Sequence, residues 1–145
     1  MPRSAVVASL ELAAETSGDI TPLVYQRLFR EHPEMAPLFC LDTDNSVKGS
    51  MLAHAIEVVL DFVGERQFAE MFVRDESVTH AGYDVSPDVF GTFFRMLADT
   101  IKDVLGERWT AEMASAWDAV IHDLSSCVQR SAGAPAPEAT STFLQ

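Results

Sequence analysis

A chain of 145 residues is the length of one ordinary domain. With 48% hydrophobic and 22% charged residues it has the composition of a folded chain rather than a disordered one. Ten basic against 22 acidic residues give a net charge of −12, which argues against nucleic acid and anionic membrane surfaces as partners.

No apolar run approaches the roughly 20 residues that cross a bilayer. Residues 1–10 carry one Arg and no apolar core of signal-peptide length, so a cytoplasmic location is expected. Apolar residues recur at three and four almost throughout, which predicts an all-α fold. A first helix is predicted over about 4–17, stopped by Gly18. Thr21 and Pro22 read as the cap and first-turn proline of a second helix, with Tyr25, Leu28, Phe29 and His32 on one face and Pro33 closing it. Prolines at 33 and 37 leave room for one short turn of helix up to Phe39. The polar loop 42–46 begins like a calcium loop, but Val47 and Ala53 stand where that motif needs Gly and Glu, so it reads as a solvated connection.

A long helix is predicted from Val47 to Gly64, with Lys48, Met51, Leu52, Ala55, Ile56, Val59 and Val63 at helical spacing on its inner face. The next, over about 66–79, is the most polar of the set. Ser86 and Pro87 repeat the cap-plus-proline signal ahead of a strongly apolar helix running from Val89 to Leu105 and ending at Gly106. Thr110 and Glu112 open the last helix, whose stripe is Met113, Trp117, Val120, Ile121, Leu124 and Val128. Residues 131–145, rich in Ala, Pro, Ser and Thr, are expected to form a mobile tail. Cys40 and Cys127 are too few and too separated for a disulfide framework and read as reduced thiols.

Four histidines are the candidates for holding a cofactor. His54 lies about 200° around its helix from Leu52 and reads as solvated. His32, before Pro33, suits a helix end, and His122 stands one step off the last apolar stripe. His80 alone sits where a helix ends ahead of another buried helix. At this point the chain resembles the globin family, specifically the single-domain haemoglobins related to the globin part of flavohaemoglobins. The resemblance rests on four motifs in order. The first runs from Tyr25-Gln26-Arg27-Leu28-Phe29 through His32-Pro33-Glu34 to Pro37-Leu38-Phe39. Lys48-Gly49 with Leu52 and Ile56 is the second. His80, Tyr83, Val85, Pro87 and Phe90 form the third, and Leu105-Gly106, Trp109-Thr110 and Ala116-Trp117 the fourth. It covers about residues 20–128 and keeps the 32-residue spacing from Lys48 to His80.

The resemblance implies a three-on-three helical globin fold, with a globin domain over 1–130 and a tail over 131–145. It also implies one haem b (iron protoporphyrin IX) held by His80 through a neutral imidazole nitrogen. Burying that mostly apolar group gains on the order of 25 cal/mol per Å². Phe39 resembles the aromatic that packs flat on the macrocycle, and Leu52, Ala55, Ile56, Val85, Phe90 and Phe94 are expected to line the pocket. Tyr25 is expected above the iron, where a bound, partly anionic dioxygen accepts the hydrogen bond that a buried phenol needs. Lys48 stands where the family resembles itself in having glutamine. Two roles stay open for it: an outward turn to solvent or a haem propionate, or coordination of the iron by a neutral amine.

Reversible binding of dioxygen, with nitric oxide and carbon monoxide as further gas ligands, is therefore the leading expectation, for oxygen transport or storage by a monomer or homodimer. A nitric oxide dioxygenase or redox enzyme fed by a separate reductase is the alternative. Against it, Phe90 and about Ala132 occupy the places where flavohaemoglobins resemble one another in a tyrosine and a glutamate that make the proximal imidazole more electron-donating, and no reductase segment appears before Gln145. A haem-based gas sensor or interaction module is a third reading.

Overall fold

The computed structural model describes residues 2–82, 85 and 87–132. Among them the chain forms α1 (Pro2–Ser17), α2 (Thr21–Glu31), a 3-10 turn (Pro33–Phe39), α3 (Ser46–Phe62), α4 (Ala69–Ala81), α5 (Pro87–Leu105), a second 3-10 turn (Gly106–Arg108) and α6 (Ala111–Ala132), with no strand. Tyr83 and Ser86, named above in the third motif and as a cap, lie outside the described residues, as do residues 133–145 of the expected tail.

Helix ends follow local chemistry. Gly18 closes α1 at φ 65° and Gly106 closes α5 at φ 56°, backbone conformations that a residue without Cβ adopts freely. The start of α2 departs from expectation: Thr21 is its first residue, and the Asp19 carboxylate accepts both the Thr21 amide (2.9 Å) and the Thr21 hydroxyl (2.6 Å). At α6 the expectation holds, since Thr110 Oγ1 accepts the Met113 amide at 3.0 Å. The polar helix starts three residues later than periodicity predicts. Arg66 is in the left-handed region at φ 55° and cannot continue a helix. The Asp61 carboxylate reaches forward to accept the amides of Gln67, Phe68 and Ala69 at 2.8–3.0 Å, and α4 begins there.

α3 packs on α1 and α4, and α5 packs on α2 and α6; across these layers α6 crosses α1 and α4, while α1 crosses α5 and α2 crosses α3. This is the expected three-on-three arrangement. The main core is centred on Trp117, Leu97, Ile101, Leu124 and Val128, all fully buried, and the predicted stripe of α6 is buried at every position. Trp117 Nε1 donates to Ser9 Oγ at 2.8 Å, and the Ser9 hydroxyl donates to the Val6 carbonyl at 2.7 Å, a polar tie between α6 and α1 inside the core. Arg27 joins α2 to α5 through Thr100 Oγ1 (3.3 Å) and the Asp103 carboxylate. A smaller core of Tyr25, Leu28, Met35, Val85 and Met96 lies apart from the main one, with Phe29, Phe39 and Phe93 against it. The two cysteines are not joined in a disulfide: Cys40 is exposed and Cys127 is buried.

Two predictions follow from the buried ties. Ser9→Ala strips the Trp117 indole of its acceptor and should lower stability by about 1–3 kcal/mol, read from urea unfolding; an unchanged midpoint would show that the indole finds another partner. For Asp61, burial alone would raise the pKa, but the amides of Phe68, Ala69 and Gln67 outweigh it and hold the carboxyl below 3.8. A lowered native pKa contributes stability that is complete above 3.8 and lost as pH falls through the native value. The stability gap between the wild type and Asp61→Asn should therefore narrow on acidification through that range, and a gap independent of pH would contradict the assignment.

Candidate functional site

Between α3, α4 and the smaller core lies a cavity of about 530 Å³, within the range that holds a cofactor or large ligand. Its wall is built by parts of every element from α2 to α5. Most lining side chains are aliphatic or aromatic; the polar ones are Tyr25, Asp42, His54, Glu76, Thr79 and His80.

His80 stands in the last turn of α4, where the i,i+4 geometry brings its ring against the turn before it. Its Nδ1 is 2.7 Å from the Glu76 carbonyl. A carbonyl can only accept, so Nδ1 carries the proton and a neutral ring keeps its lone pair on Nε2, the form that ligates a metal. The Glu76 carboxylate is farther from Nδ1, at 3.8 Å. Phe90 of α5 packs on the imidazole with ring centroids 4.8 Å apart and offers no hydrogen-bond acceptor.

Tyr25 of α2 is 2% exposed, and its hydroxyl is buried without a hydrogen-bond partner. The rings of Phe39, Phe93 and Phe29 hold the phenol at centroid distances of 5.4, 5.6 and 5.9 Å. Burial first, and then the negative charge of Asp42, push its pKa well above the ordinary phenol value, so the hydroxyl keeps its proton and remains a donor. A buried donor without an acceptor costs about 1–3 kcal/mol and is rare in folded proteins.

Of the residues singled out in the sequence, Tyr25, Phe39, Ala55, Val85, Phe90, Phe94 and His80 come together on this one cavity. Lys48, Leu52 and Ile56 are not among its lining residues. Leu52 is 3% exposed in the main core, and Ile56 packs against that core. The Lys48 ammonium is 3.2 Å from Asp42 Oδ2 and from Asn45 Oδ1, and 5.4 Å from the centroid of the Phe39 ring. The face that α3 gives to the cavity is instead Val47, Met51, His54, Ala55 and Val58, so its register is one residue earlier than the sequence suggested. His54 is exposed, as expected, but it does not point away from the site: it lies at the cavity wall against Phe72, with ring centroids 5.8 Å apart. His32 caps the end of α2 with its ring 3.4 Å from Glu34, and His122 is exposed on α6.

Two carboxylates of the site were missed. Asp42 was assigned to a solvated loop, yet its side chain is only 3% exposed and it lines the cavity. Its oxygens accept the amides of Val47 and Lys48, each at 3.0 Å, and so begin α3. Burial alone would raise the Asp42 pKa, but those amides and the Lys48 ammonium outweigh it and hold the carboxyl below its usual value. Glu76 could have been found from its i,i+4 spacing to His80; nothing in the spacing from Asp42 to Val47 announces a cap.

Among the described residues no cluster of three or more His, Cys, Asp or Glu is placed to hold a bare metal ion. Few donors in a mostly apolar cavity, which also holds a phenol without a partner, suit a large apolar cofactor that brings most of its metal's ligands with it. Nor is any described helix long and apolar enough to cross a membrane. The globin family model matches residues 23–128. The chain is also 26% identical over 113 residues to a flavohemoprotein of Rhizobium meliloti (strain 1021), a match that spans 77% of this chain and 28% of that protein. No solved structure gives a significant match. With the family match running over well more than half of its length and an all-helical fold built around one apolar cavity, the chain belongs to the haem-binding globin family.

Proposed function

We propose that this globin holds haem b through His80 and reversibly binds dioxygen, with carbon monoxide and nitric oxide as further gas ligands, for oxygen storage or transport in the cytoplasm. The observation that carries the reading is the buried Tyr25 hydroxyl, which lacks an acceptor and lines the same cavity as His80. When bound, the haem supplies an iron with one open position for a diatomic gas. The rest is supplied by the chain. His80 offers a neutral imidazole whose tautomer is fixed by the Glu76 carbonyl, and Phe39, Val85, Phe90 and Phe94 supply apolar wall that excludes water. Tyr25, which keeps its proton, supplies a buried donor, unpartnered among the described residues, that a polarised gas molecule could use.

The flavohemoprotein relative supports a second reading, in which the protein is a redox enzyme served by a separate reductase. Reversible binding is the better fit. The close partner of His80 Nδ1 is a neutral carbonyl, and Phe90 cannot take a proton from the ring.

Two experiments check the binding reading. His80→Gly should abolish the absorption bands of the haem-loaded protein unless imidazole is supplied, and an unaltered spectrum would remove His80 as the ligand. Tyr25→Phe deletes a hydroxyl that is unpaired in the ligand-free fold, so it should leave haem-free stability unchanged or higher. The same change should speed dioxygen release by about tenfold or more, since a bond to a polarised ligand is worth roughly 1.5–3 kcal/mol. Stopped-flow dissociation rates that match the wild type would place Tyr25 outside the site.

A further inference from the structure

We infer that Asp42 is a positioning residue that keeps the Lys48 amine out of the gas-binding cavity. The inference rests on the reading of this cavity as the haem and gas site.

Lys48 sits one residue from Val47, which lines the cavity, and its ammonium lies over Phe39, which lines it too. The side chain of Lys48 is only 13% exposed, so it is not a solvated surface lysine. What holds it is a set of three oxygens: Asp42 Oδ2 at 3.2 Å, Asn45 Oδ1 at 3.2 Å and the Asp42 carbonyl at 3.4 Å. Two of the three belong to Asp42. The same carboxylate accepts the amides of Val47 and Lys48, so it fixes the backbone from which the lysine springs as well as the tip of its chain.

Asp42 thus works against a specific hazard. A primary amine is a ligand for iron once it loses its proton, and an apolar cavity favours the neutral form. The Asp42 carboxylate, at hydrogen-bond distance, and the Asn45 amide oxygen occupy the Lys48 nitrogen at the loop before α3. Asp42 lines the cavity itself, so the contact that holds the amine is made at the cavity wall. Asn45 alone is a neutral acceptor on an exposed residue held at φ 64°, and it cannot replace the charge.

The test is the ferrous absorption spectrum of the haem-loaded full chain, together with the rate of carbon monoxide binding. Asp42→Ala should convert a five-coordinate spectrum to a six-coordinate one. If the internal amine then occupies the site about nine-tenths of the time, carbon monoxide binding should slow by about tenfold. Adding Lys48→Met to Asp42→Ala should restore the wild-type spectrum and rate, and Asp42→Glu should resemble the wild type. Should Asp42→Ala fail to fold for want of its cap, Asp42→Asn removes the charge while keeping one of the two acceptor oxygens for α3, and the same spectral change is expected. Amide exchange at Val47 and Lys48 reports the cap separately from the haem. Asp42→Ala or Asp42→Asn proteins that fold, take up haem and keep the wild-type spectrum and rate overturn the inference, as does a change that survives Lys48→Met. A wild-type protein that takes up no haem overturns the functional reading and this inference with it, whereas the preceding outcomes leave the functional reading intact.

Discussion

The hydrogen bond between His80 Nδ1 and the Glu76 carbonyl is the contact on which the site depends. An imidazole can hold a metal only through a nitrogen that keeps its lone pair, and at this position the backbone of α4 decides which nitrogen that is. The bond exists because residues 76 and 80 are one helical turn apart, so it is as secure as the last turn of α4. That helix is short and polar, and its own order comes from its ends and its seat. Asp61 reaches across from α3 to begin it, and Ala69 and Val73 bury its inner face against the main core. A carboxylate on the helix before α4 thereby sets the register of His80.

The opposite wall of the cavity is built on different principles. Tyr25, Phe39, Phe29 and Phe93 form an aromatic cluster with ring centroids 5.4–5.9 Å apart, in tilted and edge-on arrangements that dense packing favours. Arg27, two residues beyond Tyr25, ties α2 to Thr100 and Asp103 on α5. The phenol is consequently fixed by its neighbours rather than by a bond of its own. Such an arrangement sacrifices some stability for a donor that is already in position, the usual condition for recognition of a small ligand by a single hydrogen bond.

Between these walls α3 has two apolar faces, and that is why its role was misjudged. Leu52, Val59 and Phe62 point to the main core, Val47, Met51 and His54 to the cavity, with Ala55 and Val58 serving both. A helix that is apolar on most of its circumference has no unique inside in sequence, because periodicity measures only that a stripe exists. The stronger aliphatic stripe was taken for the pocket and belongs to the core. The Asp42 carboxylate before α3 was likewise read as solvated, since a carboxylate in a loop looks the same whether it is hydrated or collects amides several residues ahead.

Composition and spacing determined the helical class, the proline and glycine punctuation, the buried stripes of α5 and α6, and the place of His80 at the end of a helix, since all of these depend on neighbours within a turn or two of the chain. Tertiary structure alone decided that Met51 rather than Leu52 faces the cavity, that Asp42 and Asp61 are helix caps, that Lys48 is held by Asp42, and that the Tyr25 hydroxyl has no partner. Each of those depends on which surfaces meet after the helices have packed, and on atoms brought together from separate helices and loops. Hydrophobic periodicity is blind to both.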